Sequence, residues 1–388
     1  MESSEPMMNG LILERLSQRK VLHVIKGKLK SERPNGVCQV TNNVLRELWK
    51  QRLNVTALCK SHLDGKKTLR REHEDGYEML IIGRNLIYHL IDITTVVKKA
   101  EIIHIHGVYS PYLTIVALIC MVLKKKYIIS PHGGLRPKAR ETNSKQKNLY
   151  DWTVQRHIIL NAAGIHSFSR IEAKQICSDY KTKIENNFII PNGIESARIR
   201  NYSRVYEDIS IQSPHVDFAY IGRFSAEKNL EVLCESFCSL RKNCKEAKLT
   251  LYGPDNALKT SLERKFRSRN IIFKAAVYGD EKYACIDKHQ VFVLPSLNEG
   301  MPIAALEIFA RGKILIASHE CNLEDLGVNV YAFFCGTETL ELLQSLIEVT
   351  QASGEMLREV RLNAWNLAKN HLTWEMIAKK YRHMYRCI

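Results

Sequence analysis

Short apolar runs alternate with longer amphipathic segments along most of the chain. The runs have the length of single strands, and the amphipathic segments repeat apolar positions every three or four residues, which is helical spacing. Runs that are apolar throughout are typical of strands buried on both faces of a parallel sheet. Strands and helices that alternate in this way predict an α/β fold with doubly wound parallel sheets. The clearest predicted strands are 21–25, 102–107, 127–130, 164–169, 217–221, 249–253, 291–294 and 314–318.

The length of the chain and its polar stretches indicate two domains. A chain of 388 residues exceeds what one hydrophobic core usually supports. We predict a flexible leader at 1–20, a first Rossmann-like domain at 21–195 and a second at 215–370. A polar stretch without periodicity predicts a linker at 196–214. Residues 371–388 are predicted to form a helix that crosses back to the first domain.

Composition places the protein among globular cytoplasmic proteins. No signal peptide is recognisable at the start of the chain, and the longest apolar run, 112–123, is about half of the ~20 residues that a membrane span needs. Eleven cysteines are scattered without paired spacing. They predict neither a zinc site nor a disulfide framework, so a reducing cytoplasm is the expected compartment.

The positive charge is concentrated in the first half of the chain. Residues 1–192 hold 31 Lys and Arg against 17 Asp and Glu, whereas the remaining residues hold 26 against 24, within a net charge of +16. Such a field attracts polyanions or an anionic membrane surface. Zinc fingers, RNA-binding signatures and interleaved aromatic stripes are not recognisable, so we expect no nucleic acid. We predict peripheral binding to the inner face of the cytoplasmic membrane; a solubilising surface is the alternative.

The stretch from 291 to 312 holds the strongest candidate chemistry. An apolar run predicts a strand at 291–294, and Met301-Pro302 is expected to start a helix, because proline is tolerated in a first turn. Glu299 precedes this helix and Glu307 is predicted to lie two turns inside it. Helical spacing then allows both carboxylates to face one cleft.

The predicted helix start is also a candidate phosphate site. The N–H groups of Gly300, Met301 and Ile303 are expected to form the positive end of a helix dipole. Carboxylates on either side accept hydrogen bonds from vicinal hydroxyls, so the stretch suggests recognition of a nucleotide-sugar. The alternative is that the two acids are a dipole partner and a surface charge.

Two further groups of residues fit the same ligand. Arg223 and Lys228 follow the predicted strand 217–221 and can converge on one anion. Two successive strands of the first domain each carry a histidine at or just after their C-terminal end, His106 and His132, at the sheet edge where α/β proteins bind ligands. A lone histidine is more often structural. Gly36 lies in a loop where the backbone can approach a phosphate, although a simple tight turn fits equally.

A basic amphipathic segment at 138–156 follows the second of these strands. Trp152 lies among its basic residues, which suits a membrane interface or the mouth of an acceptor site. An ordinary surface helix is equally compatible.

Several motifs, in this order, resemble those of the retaining glycosyltransferases of family 4, which have two facing Rossmann-like domains with a cleft between them (GT-B fold). The motifs are Ser130-Pro131-His132-Gly133-Gly134, Pro191-Asn192-Gly193-Ile194, the spacing Gly222-Arg223 to Lys228-Asn229, and Glu299-Gly300 followed by Leu306-Glu307. The bacterial enzymes of O-antigen, capsule and exopolysaccharide synthesis are of this type. The chain departs from the family pattern at Asn35, at 312–315 and at 321–323, so no sugar specificity is carried over.

The resemblance implies roles for these residues. Arg223 and Lys228 would neutralise the departing diphosphate, Glu307 would accept the ribose hydroxyls, and Glu299 with His132 would hold the sugar. Catalytic candidates are His132, Arg223, Lys228 and Glu299; donor-binding candidates are Gly36, Gly300, Met301, Ile303 and Glu307; acceptor-side candidates are His106 and Trp152. Fixed cations would take the place of a metal, so no cofactor is expected.

The predicted function is therefore that of a hexosyltransferase. It would move a sugar from a UDP- or GDP-sugar, with retention, to a lipid-linked oligosaccharide or glycan in bacterial polysaccharide or lipopolysaccharide synthesis. Two alternatives stay open: a soluble transferase acting on a metabolite or protein, and a non-catalytic sugar-nucleotide-binding or scaffold protein. An NAD enzyme is disfavoured because no G-x-G-x-x-G follows either first strand.

Overall fold

The computed structural model describes residues 19–27, 29, 36–61, 68–136, 150–207, 216–267, 269–327 and 329–388. The chain divides into two compact units. Unit 1 comprises Met1–Pro191 with Trp374–Ile388, and unit 2 comprises Asn192–Thr373. The predicted leader up to residue 18 and the predicted linker from residue 208 lie outside the described residues. Within the described ranges, every helix is too short or too polar to cross a bilayer.

Unit 1 contains, within its described residues, an eight-stranded sheet in the order β3-β4-β2-β1-β5-β6-β7-β8. All neighbours pair in parallel except β3, which is antiparallel to β4. The strand order reverses between β1 and β5, as in a doubly wound sheet. The strands are β1 (Lys20–Lys26), β2 (Asn54–Lys60), β3 (Arg70–Glu74), β4 (Tyr77–Ile82), β5 (Ile102–His106), β6 (Lys126–Ser130), β7 (Gly164–Ser167) and β8 (Asn187–Ile189).

Unit 2 contains, in its described part, a six-stranded sheet in the order β11-β10-β9-β12-β13-β14, parallel throughout. Its order reverses between β9 and β12. The predicted pair of parallel α/β sheets is therefore confirmed. The strands are β9 (Asp217–Ile221), β10 (Lys248–Tyr252), β11 (Ile271–Lys274), β12 (Val291–Leu294), β13 (Ile314–Ser318) and β14 (Phe333–Cys335).

The helices bury their apolar faces against these sheets. Strands such as β12 and β13 are buried along their whole length, as their unbroken apolar sequence predicts. The helices are α1 (Gly36–Lys50), α2 (Leu90–Lys99), α3 (Pro111–Val122), α4 (Arg156–Leu160), α5 (Arg170–Tyr180), α6 (Tyr202–Glu207), α7 (Leu230–Leu240), α8 (Ala257–Lys265), α9 (Gly279–Lys288), α10 (Ile303–Ala310), α11 (Thr339–Gln351), α12 (Gly354–His371) and α13 (Trp374–Cys387).

Helix α10 begins two residues later than predicted. Pro302 has extended backbone angles and occupies the N-cap position, so Ile303 is the first helical residue. Glu307 therefore lies one turn inside the helix, and Glu299 belongs to the preceding loop. Helical spacing therefore does not relate the two carboxylates, and the expectation that both face one cleft stays a prediction.

Two other predictions change at element ends. Strand β7 ends at Ser167, because Ser169 caps α5 by accepting a hydrogen bond from the Glu172 N–H at 3.1 Å. The predicted basic helix at 138–156 lies largely outside the described residues. Its described end is a π-helical turn, Asp151–Gln155, which continues into α4.

Candidate functional site

The site in unit 2 is built where its strand order reverses. Strands β9 and β12 are hydrogen-bonded neighbours, and the loops that follow them start at the same edge of the sheet. In doubly wound sheets this edge is the usual position for a ligand. The Leu297 N–H donates to the Glu227 carbonyl at 2.7 Å and so ties the two loops together.

Lys228 and Glu299 meet across these two loops. The Lys228 ammonium forms a salt bridge with Glu299 Oε1, and the Ser296 hydroxyl donates to the same oxygen at 3.3 Å. The Lys228 side chain is only 16% exposed. Burial lowers the pKa of Lys228 to about 8, and the positive charge of Arg223 acts in the same direction. The Lys228 ammonium is thus a largely desolvated positive charge at the end of the sheet, where it would interact strongly with a bound anion.

Arg223 lies at the start of the same loop. Arg223 is exposed, and no ion-pair partner of its guanidinium is seen among the described residues. Its backbone carbonyl accepts from the Tyr220 hydroxyl at 2.8 Å, which fixes the turn after β9. The guanidinium is therefore available to an anion bound near Lys228.

Glu307 is paired with a different lysine, Lys282 of α9. Its buried carboxylate forms a salt bridge with Lys282 and accepts from the Tyr283 hydroxyl at 3.4 Å, both from α9. Burial raises the pKa of Tyr283, and the Glu307 charge adds to the effect. Sequence reasoning missed Lys282 and Tyr283, because nothing in the local pattern shows which face of α9 packs against α10.

Two asparagines hold the backbone between the glutamates. The Asn322 amide donates to the carbonyls of Glu299 at 2.7 Å and Gly300 at 2.9 Å, and the Asn192 amide donates to the Met301 carbonyl at 2.9 Å. Asn322 has a left-handed backbone, with φ of 56°. Asparagine tolerates this conformation better than most residues other than glycine. With its carbonyls engaged, the loop into Ile303 is held in one conformation.

The site in unit 1 lies at the ends of β5 and β6. His132 has a positive φ of 53°, which is uncommon outside glycine and is often found at functional sites. The next N–H, of Gly133, donates to Glu172 Oε1 at 3.1 Å, and the Phe168 N–H donates to Glu172 Oε2 at 2.8 Å. Burial raises the pKa of Glu172, while these two N–H groups and Arg136 act against the rise. Glu172, absent from the predicted site, braces the His132 turn.

The remaining predicted residues of unit 1 differ in their settings. His106 is buried, and both of its ring nitrogens contact other histidines, His132 at 3.0 Å and His23 at 2.9 Å. Gly36 was predicted to lie in a loop but is the first residue of α1, and a Cβ added there would meet no described atom within 4 Å. Trp152 lies in the π-helical turn, and its side chain is outside the described atoms. Their roles toward donor and acceptor stay predictions.

Comparisons with known proteins cover both halves of the chain. Residues 34–198 match the family "Glycosyltransferase Family 4", and residues 215–349 match the family "Glycosyl transferases group 1". An alpha-monoglucosyldiacylglycerol synthase of Streptococcus pneumoniae is 26% identical over 163 residues, 39% of this chain and 37% of the relative. The putative glycosyltransferase EpsF of Bacillus subtilis is 22% identical over 231 residues, 56% of this chain and 60% of the relative. The chain thus spans less than two thirds of these relatives.

Solved structures match over nearly the whole chain. A sucrose-phosphate synthase from Thermosynechococcus elongatus has a TM-score of 0.73 at 14% identity, covering 95% of this chain and 98% of that one. Anabaena HepE in complex with UDP and glucose has a TM-score of 0.69 at 13% identity, covering 96% and 100%. At these identities the likeness establishes the fold, which is GT-B.

Proposed function

The chain belongs to the glycosyltransferases of the family 4 and group 1 type, and we propose that it transfers a hexose from a nucleoside diphosphate sugar to an acceptor hydroxyl. The observation that carries the proposal is the Lys228–Glu299 pair at the reversal point of unit 2, with Arg223 on the same loop. A cation and a carboxylate side by side match the diphosphate and the hydroxyl-bearing sugar of such a donor.

In the proposed reaction the bond between the sugar's anomeric carbon and the diphosphate oxygen breaks. The acceptor oxygen forms the new bond on the same face, and its proton passes to the departing diphosphate. Lys228 and Arg223 stabilise the negative charge that develops on that oxygen, and charges already in position are effective because they need no reorganisation during the reaction. Glu299 accepts hydrogen bonds from sugar hydroxyls once the diphosphate has taken over Lys228.

Glu307 is proposed to bind the ribose. Its carboxylate is oriented by Lys282 and Tyr283, which leaves lone pairs for a vicinal diol. No metal or organic cofactor is part of the proposal, because Lys228 and Arg223 supply the positive charge. Anabaena HepE was solved with UDP and with UDP-glucose, which supports uridine donors as the first candidates ahead of GDP-sugars.

Donor binding is expected to stabilise the protein against thermal unfolding. At 100 times its Kd, the correct nucleotide-sugar adds about 2.7 kcal/mol to the free energy of unfolding. A panel of UDP-, GDP-, ADP- and dTDP-sugars, measured by differential scanning fluorimetry, should give one base that raises Tm more than the others. Stabilisation without turnover in the presence of any lipid acceptor would favour a non-catalytic binding protein, and no stabilisation by any nucleotide would contradict the proposal.

We further propose that the acceptor is a membrane lipid or a lipid-linked glycan, in bacterial polysaccharide or lipopolysaccharide assembly on the inner face of the cytoplasmic membrane. One relative is named as a monoglucosyldiacylglycerol synthase. In unit 1, the turn Leu86–His89 and the start of α2 expose large apolar side chains, with Ile87 71% and Ile91 82% exposed. Exposed apolar side chains grouped in this way are suited to insertion among lipid chains.

A basic cleft adjoins this apolar turn. It has a volume of about 560 Å³, and Lys60, Arg84 and Tyr88 are among its lining residues. Burial lowers the pKa of Lys60, and the like charges of Lys26 and Arg84 lower it further. Cations that repel one another in this way are stabilised by an anion, which fits a phosphate headgroup beside the inserted side chains.

Vesicle binding is expected to depend on this surface. Ile87→Asp with Ile91→Asp should weaken binding to phosphatidylglycerol-containing vesicles by at least about tenfold, because two exposed aliphatic side chains proposed to insert among the lipid chains are replaced by carboxylates. The control Leu340→Asp changes an equally exposed side chain of unit 2 and should leave binding unchanged. Pelleting at low salt measures the effect. A wild-type protein that stays in the supernatant would instead support the soluble transferase.

A further inference from the structure

Five histidines of unit 1 form one continuous chain of hydrogen bonds. They come from β1, β5, β7 and the turn after β6, and they are joined by Ser130 and by Tyr385 of α13. We call this chain the histidine wire. Its contacts are, in order, His132 Nε2 to His106 Nδ1 (3.0 Å), His106 Nε2 to His23 Nδ1 (2.9 Å), His23 Nε2 to Tyr385 Oη (3.1 Å), Tyr385 Oη to His104 Nδ1 (2.7 Å), His104 Nε2 to Ser130 Oγ (2.6 Å), Ser130 Oγ to His166 Nδ1 (2.6 Å) and His166 Nε2 to the Ile190 carbonyl (2.8 Å).

The rings of the wire are neutral at physiological pH. Burial lowers the pKa of His23 and His132 to about 3 and that of His166 to about 4. Burial also lowers the pKa of His104 and His106 well below the ordinary value, and neighbouring rings add to this. A neutral imidazole donates through one nitrogen and accepts through the other. Within the wire, each ring therefore donates to one neighbour and accepts from the other, so all its hydrogen bonds must point the same way along the chain.

The far end of the wire fixes that direction. The Ile190 carbonyl can only accept, so His166 carries its proton on Nε2 and accepts the Ser130 hydroxyl on Nδ1. The Ser130 oxygen then accepts from His104 Nε2, and the same alternation runs on through Tyr385. Tyr381 also approaches His166 Nδ1, but at 3.4 Å it is the weaker donor beside Ser130 at 2.6 Å.

The same alternation of donor and acceptor, followed back from Tyr385 to His132, places the proton of all five rings on Nε2. We propose that the histidine wire is directional and holds His132 as the Nε2–H tautomer, so that its Nδ1 lone pair accepts a hydrogen bond from a sugar or acceptor hydroxyl. The proposal rests on the proposed function for the identity of that hydroxyl. No hydrogen bond to His132 Nδ1 is seen among the described residues, and His132 is only partly buried, so its Nδ1 lone pair is left for a ligand. His106, His23 and Tyr385 are then positioning residues.

Three members of the wire also have the spacing of a metal site. His23, His104 and His106 offer ring nitrogens within 4.8 Å of one another. All six of their nitrogens already take part in the wire, so a metal ion would have to break hydrogen bonds to bind. The tautomer measurement distinguishes the two arrangements.

Nitrogen NMR of the full chain labelled with ¹⁵N-histidine tests the proposal directly. At pH 7 the five rings, assigned by single substitutions, should each show protonated Nε2 and bare Nδ1. A ring with its proton on Nδ1, a doubly protonated ring, or a joint shift of His23, His104 and His106 on addition of equimolar zinc would overturn it. Because this readout needs no substrate, it holds or fails independently of the transferase activity.

A pair of tyrosine variants tests the effect on catalysis. Tyr385→Phe removes the hydroxyl that links His23 to His104, so the first three rings lose their anchor and His132 should acquire the Nδ1–H tautomer. We expect kcat to fall about tenfold, with the donor KM within twofold. Tyr381→Phe, one helical turn away, removes a hydroxyl that makes the weaker, 3.4 Å approach to His166 Nδ1, and it should change both kcat and KM less than twofold.

A second variant, Ser130→Ala, keeps the proposal testable if Tyr385→Phe fails to fold. Ser130→Ala interrupts the wire between His104 and His166 with a smaller change of volume, and it should shift His132 in the same way. Unchanged His132 resonances and unchanged kcat in both variants would overturn the proposal. Correct tautomers in a wild-type protein without transferase activity would instead leave the wire in place and contradict the proposed function.

Discussion

Lowering the pH from 7.5 to 5.5 is expected to remove about 5 kcal/mol from the free energy of unfolding of unit 1. His23, His104, His106 and His166 are almost fully buried and stay neutral in the folded state. In the unfolded chain each titrates near its ordinary pKa of about 6.5, so at pH 5.5 each destabilises the folded state by about 1.4 kcal/mol. A loss of this size is comparable to the whole stability of a typical domain.

The sign follows from the lowered pKa values. The folded state binds fewer protons than the unfolded state, so stability is complete above pH 6.5 and falls as the pH drops toward about 4 for His166 and about 3 for His23. Glu172 works in the opposite direction, because burial raises its pKa and the folded state takes up its proton more readily. One carboxyl offsets only a part of the effect of four histidines.

Urea unfolding at pH 7.5, 6.5 and 5.5, followed by circular dichroism, measures the loss. His166→Gln should reduce the loss by about a quarter, since one proton fewer is taken up on unfolding. His383→Gln, an exposed position on the same helix as Tyr385, is the matched control and should leave the loss unchanged. A wild-type loss below about 1.5 kcal/mol would show that the wire is already protonated when folded.

The sheets were predictable from sequence because their strands are buried on both faces. The run Val291–Leu294 is a strand over the predicted residues, since four apolar residues between polar segments have few other stable positions in an α/β fold. The positions of Lys228 and Glu299 at one sheet edge followed from the same pattern. Their direct contact depends on β9 and β12 being neighbours, which strand order alone decides.

Contacts made by helix faces could not be predicted in this way. The partners of Glu307 depend on the rotation of α9 against α10, and the Asn322 clamp depends on a left-handed turn after β13. The wire left one local signal: His104 and His106 are two residues apart in an apolar strand, so they face the same side. Tyr385, the hydrogen-bond partner of His104, lies 281 residues beyond it, and no local pattern connects the two.

Replacing Lys228 by methionine is expected to lower kcat for sugar transfer by about 10² to 10³. Methionine keeps the length and packing of the side chain but removes the positive charge from the departing diphosphate, and losses of this size are usual when one such group is deleted. Lys265→Met is the matched control, because this lysine lies on the surface of unit 2, where it forms ion pairs with Glu231 and Glu235. Initial rates with the donor found in the binding panel give both values, and equal Tm values would show that folding is intact.

The pH dependence of kcat/KM distinguishes the effect of the Lys228 charge from that of its side-chain packing. Burial lowers its pKa to about 8, so kcat/KM for the donor, which reports on the free enzyme, should fall as the pH rises above 8. Lys228→Arg keeps a positive charge at every accessible pH and should abolish this fall, even if its fork fits the loop less well. A wild-type profile that stays flat to pH 10, or a Lys228→Met enzyme as active as the control, would mean that another group stabilises the leaving diphosphate. Arg223, exposed on the same loop, would then be the next group to remove.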